Sequence, residues 1–68
     1  MQTNIAYNLK RIRNRKLWTQ RQLAEEAMIP FSMLQDIESM RVDPVTSIVI
    51  LLCRALGCSP NELMGWKR

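Results

Sequence analysis

With 68 residues, 47% of them apolar, the chain has room for one domain around one small core, and its composition argues against wholesale disorder. The net charge of +4 hides an asymmetry: residues 1–22 carry six basic side chains and no acid, whereas residues 23–66 carry two basic against six acidic ones. A polyanion is therefore drawn to the N-terminal third, although a solvated basic helix face would leave the same trace. Taken in chain order, Ile5, Leu9 and Ile12 recur at helical spacing after a candidate cap at Thr3 or Asn4. They predict a first helix that buries this stripe, turns Lys10, Arg11 and Arg15 elsewhere and sets Tyr7 at the rim.

The second helix has three agreeing start signals. Thr19 is an N-cap, Gln22 stands three residues later as in a capping box, and Trp18 with Leu23 makes a hydrophobic staple. Leu23, Ala24 and Ala27 form its apolar face. Pro30 has no N–H to give a helix interior, so this helix should stop near Ala27 or Met28. A third should begin at about Pro30 or Phe31 and run through Leu34 and Ile37 to about Ser39. The corner between them is three or four residues, as a helix-turn-helix over about residues 19–39 requires.

Beyond the break at "MRVDP", Asp43 is expected to cap a fourth helix with Pro44 as its first residue. Val49, Leu52, Cys53 and Leu56 should face the core, leaving Ile48 and Leu51 at an edge or an interface. Gly57 ends that helix, and Ser59, Pro60 and Glu62 open a fifth with a second capping box. The expected architecture is all-α: one domain, residues 1–68, of five short helices without strands or repeats.

Cys53 and Cys58 do not form a C-x-x-C pair and there is no histidine, so the cysteines are read as apolar fillers and no metal or cofactor is expected. That reading implies a reducing cytoplasm, with oligomerisation as the source of extra stability. The longest apolar run, residues 48–53, is six residues, too short to span a bilayer, and no leader segment is seen. Enzyme activity is not expected. There is no phosphate-binding glycine loop and no clustered acidic triad, and Glu25 reads as an i,i+4 partner of Arg21.

"LWTQRQLAEEA" at residues 17–27, Leu34, Ile37 and Glu38, Pro44, "LCRALG" at 52–57 and "SPNEL" at 59–63 fall together at one set of spacings. In this the chain resembles, over about residues 5–65, the lambda-repressor-like (Cro/repressor) helix-turn-helix family of bacterial and phage regulators. The resemblance implies a compact five-helix domain that binds double-stranded DNA, commonly as a homodimer, with the third helix in the major groove. It places Gln20, beside Thr19, at a helix N-terminus suited to phosphate. It places Phe31, Ser32, Gln35 and Asp36 on the reading face. Gln35 suits adenine N6 and N7, Phe31 a thymine methyl, Asp36 a cytosine N4, and Ser32 a base edge or a phosphate. Arg13 and Glu38 match a supporting ion pair between the first and third helices.

Lys10, Arg11 and Arg41, with Arg15 or Lys16, are the cations expected to neutralise phosphates. The apolar excess at Ile48, Leu51, Met64 and Trp66 suggests a dimer surface, and the resemblance also puts one near the last two helices. Three departures stand out. Met28 and Met40 occupy positions where the family commonly has glycine, and Pro30–Phe31 replaces a small polar start to the third helix. With Met33, these residues add apolar surface beside the reading face. Two functions follow: a small transcriptional regulator, a repressor acting at a palindromic operator, or a protein-interaction module that regulates another repressor.

Overall fold

Every helix in this chain begins or ends on a local signal. The computed structural model describes residues 5–65, which form α1 (Ile5–Arg15), α2 (Gln20–Ala27), α3 (Phe31–Glu38), α4 (Thr46–Leu56) and α5 (Pro60–Met64). Both capping boxes form. The Thr19 hydroxyl accepts from the Gln22 N–H at 3.1 Å while the Gln22 side chain accepts from the Thr19 N–H at 2.8 Å. Ser59 and Glu62 do the same at 3.2 and 3.1 Å. The candidate caps Thr3 and Asn4 lie outside the described residues.

The helix ends share a second device. Leu17, Met28 and Met40 all take positive φ, at 62°, 61° and 65°. After each, the next N–H reaches back to close the turn: Trp18 to the Arg13 carbonyl at 3.3 Å, Ile29 to Ala24 at 3.0 Å and Arg41 to Asp36 at 2.9 Å. This six-to-one closure normally uses glycine, because a Cβ in the left-handed region costs about 1–2 kcal/mol. Gly57, at φ 69°, serves α4 in the expected way.

The start of α4 differs from expectation. Asp43 is not its cap and Pro44 is not its first residue. Val45 is the cap residue, and its carbonyl accepts from the N–H groups of both Ile48 and Val49 at 3.0 Å. The physical reason lies at Val45: its extended backbone (φ −73°, ψ 164°) makes Thr46 the first helical residue, and Asp43 makes no side-chain hydrogen bond to a helix N–H among the described residues.

Each helix sends at least one fully buried side chain inward: Leu9, Leu23, Leu34 with Ile37, Leu52 and Leu63. Ala24 and Ala27, both buried, let α2 lie close to its neighbours α3 and α4. Val49, Leu52, Cys53 and Leu56 do face this core. A buried polar contact holds the far side together: Asn8 donates its amide to the Leu63 carbonyl at 3.2 Å. Gly65, at φ 78°, ends α5 against it, and a Cβ there would sit 2.8 Å from the Asn8 amide nitrogen.

Cys53 and Cys58 are free thiols at the α4 terminus. The Cys58 N–H closes on the Cys53 carbonyl at 3.1 Å across the helix cap, and the two thiols are neighbours. Burial, then the neighbouring Cys58, pushes the Cys53 thiol up to about 12.

Candidate nucleic-acid interface

Glu38 is the hub of the polar face. It is buried, yet its carboxylate is fully used: Arg13 donates Nε to Oε2 at 2.8 Å and Nη2 to Oε1 at 3.0 Å, and Gln20 donates Nε2 to Oε1 at 3.0 Å. Arg13 spends a further donor on the Trp18 carbonyl at 2.8 Å. Its guanidinium therefore belongs to the framework linking α1, the α1–α2 turn and α3. The same carboxylate fixes the Gln20 side chain, whose second amide hydrogen remains beside the N-terminus of α2.

Around this hub opens a groove of about 370 Å³. Lys10 from α1 and Gln20 from α2 line one part, and Gln35, Asp36, Glu38, Ser39 and Arg41 line the rest. Two exposed cations, a fixed amide and the exposed Gln35 amide thus share one concavity. Asp36 and Arg41 face each other loosely, 3.8 Å apart with side chains 43% and 76% exposed. Such a pair is easily exchanged for a phosphate on the Arg side.

The other residues singled out from the sequence lie elsewhere. Arg11 is exposed on α1 but does not line the groove, and the Thr19 hydroxyl is committed to its cap. Phe31 and Ser32 stand at the opposite end of α3 from Ser39 and Arg41. Phe31 is half-buried against the core and Ser32 is exposed. Ile48, Leu51 and Met64 are half-buried, each packed on the core of this same chain, and Trp66 lies outside the described residues. The apolar side chains of α4 and its approach that meet solvent are Ile50, Val45 and Val42, at 46%, 63% and 46% exposure.

Two residues escaped the sequence reading. Nothing in the local sequence marks Asn8 for burial, and its buried amide is met by the Leu63 carbonyl of α5. Arg21 was matched with Glu25, but among the described residues the ion pairs are Arg13–Glu38 and Arg41–Asp36. Arg21 instead crosses the corner and lies over the Phe31 ring, 4.4 Å from its centroid. An aromatic at the first turn of the third helix was the available signal. Lys16 over Trp18, at 5.3 Å, is a second such contact.

An N-capped α2, a tight left-handed corner and an α3 with one exposed polar face are the parts of a helix-turn-helix. The model of the family described as Helix-turn-helix matches residues 9–63. The chain belongs to this lambda-repressor-like helix-turn-helix family. The match to this family supports DNA binding by the domain. The crystal structure of a transcriptional regulator from Listeria innocua is similar, with a TM-score of 0.84 and 24% identity. The likeness covers 100% of this chain and 64% of that one, and it bears on the fold. No curated protein matches the chain. Among the described residues, no helix is long and apolar enough to cross a membrane.

Proposed function

We propose that this protein is a small cytoplasmic transcriptional regulator, a repressor that binds a palindromic operator in double-stranded DNA as a homodimer. The carrying observation is the groove at the junction of α1, α2 and α3. It brings the cations Lys10 and Arg41 into one concavity with Gln35 and with Gln20, whose amide is held by Glu38. Phosphate-binding and base-reading chemistry then lie within one contact surface. Lys10, Arg11 and Arg41 neutralise phosphates, and the α2 N-terminus turns the Gln20 N–H, with the hydroxyl hydrogen of the Thr19 cap, to the backbone. Gln35 reads adenine, with Ser32, Phe31 and Asp36 as its neighbours on α3. Regulation is by occupancy: the bound dimer excludes or recruits polymerase, and repression follows the family's habit.

Dimerisation through α4 and α5 draws on the half-buried Ile48, Leu51 and Met64, with Ile50 of α4 and Val42 and Val45 of its approach exposed as well. A two-fold axis there would carry the α3 helices to about 34 Å, one turn of duplex. The competing reading, a protein-interaction module, draws on Met28 and Met40, which are 85% and 75% exposed. Both stand at left-handed helix ends, and that backbone geometry aims the side chains outward without a partner.

Selection from random duplex DNA, followed by affinity measurements across salt concentrations, tests the reading. A selected, roughly palindromic site whose log affinity falls linearly with log salt is expected. Absence of any duplex affinity at low salt would favour the interaction module. Analytical ultracentrifugation with and without the selected site tests the dimer, and a monomer in both states would remove it.

A further inference from the structure

We propose that Arg21, held over Phe31, reads a guanine in the major groove and supplies the cation that α3 itself lacks. The inference deepens the DNA-binding reading and rests on it. The α3 sequence, FSMLQDIE, contains no Lys or Arg, yet the commonest specific major-groove contact is a basic side chain bonded to guanine O6 and N7. In a helix-turn-helix the N-terminal residues of the third helix meet base edges, and Phe31 is the first residue of α3. The Arg21 guanidinium lies 4.4 Å from the Phe31 ring centroid, within cation–π range. It is therefore carried from α2 to the reading end of α3.

Two further features suit Arg21 to this role. The side chain is exposed, and no carboxylate among the described residues pairs with it, so its forked donors remain available. The stack on Phe31 also limits the conformations the long side chain must give up when it binds a base edge. Phe31 then touches the neighbouring base pair, where a thymine methyl fits its ring edge, so the pair would favour guanine next to thymine. A lysine could keep the charge but not the fork or the stack.

The test is selection from random duplex DNA with the wild-type protein, R21A, R21K and F31L, followed by affinity measurements on the wild-type site at several salt concentrations. Circular dichroism of each variant establishes that it is folded. Wild-type protein should prefer guanine at one position by about ten-fold or more. R21A and R21K should both level that position and leave the remaining preferences in place, with the salt slope of R21K unchanged. Replacing that guanine by 7-deazaguanine should weaken wild-type binding and leave R21A binding unaltered. F31L should lower the same preference, and should it fail to fold, R21K and 7-deazaguanine carry the test alone. Unchanged preferences in R21A would overturn the inference. So would an equal loss on all sequences with a salt slope smaller by about one, which marks a phosphate contact. A wild-type protein that selects no duplex would overturn the DNA reading and this inference together.

Discussion

Replacing Glu38 by alanine should remove three charge-assisted hydrogen bonds at once. Arg13 loses both bonds to the carboxylate, Gln20 loses its only side-chain acceptor among the described residues, and a small void opens beside Ile37. The Arg13 side chain is 12% exposed and would keep only its bond to the Trp18 carbonyl. Stranding one member of a buried pair costs about 3–5 kcal/mol, and the surviving Trp18 bond puts the expected loss at the lower end, about 3 kcal/mol. In a domain of this size that lowers the thermal midpoint by roughly 12–24 °C. Urea and thermal unfolding followed by circular dichroism, at one fixed protein concentration, measure it. The companion variant R13M/E38L replaces both charges by apolar groups, and it should recover most of the loss because no ion is left unpaired. A loss under about 0.5 kcal/mol for E38A would place the pair with exposed salt bridges and refute its framework role.

Gln35→Ala should cost about 1–3 kcal/mol on the preferred site and relax one or two positions, whereas Lys10→Ala should weaken all duplexes and lower the salt slope by about one. Equal losses for Gln35→Ala on specific and random DNA would leave it a positioning role. Met28→Gly should stabilise the domain by about 0.5–1 kcal/mol, since it relieves left-handed strain at an exposed position and gives part back as unfolded-state entropy; a destabilised variant would show that the side chain packs. The Cys53 thiol, raised from 9.0 to about 12, holds its proton more tightly folded than unfolded. Its contribution to stability is therefore complete below pH 9.0 and declines as the pH rises toward about 12. Native protein at pH 8 should accordingly resist iodoacetamide at Cys53 until denaturant is added, and rapid native labelling read by mass spectrometry would contradict this.

The features legible in the sequence were those whose partners lie within a few residues. Thr19 with Gln22, Ser59 with Glu62, and Gly57 each carry their own hydrogen-bonding logic, so the ends they set came out as expected. The buried stripes were legible for a related reason, since the period of an α-helix alone selects Ile5, Leu9 and Ile12 or Val49, Leu52 and Leu56. The Arg13–Glu38 pair spans 25 residues and was reached through the family resemblance alone. Tertiary structure decided the rest. The start of α4 is set at Val45, whose extended backbone puts the first helical residue at Thr46, and the local cap signal at Asp43 was overruled. Arg21 had a good partner four residues away in Glu25 and a better one across the corner in Phe31, and only the angle between α2 and α3 decides which it meets. Asn8 is polar by composition and buried by the return of α5. The groove depends on three helices at once. Local hydrogen bonds are encoded residue by residue, but a surface that joins Lys10, Gln20, Gln35 and Arg41 exists only after the shared core has set the helices against one another.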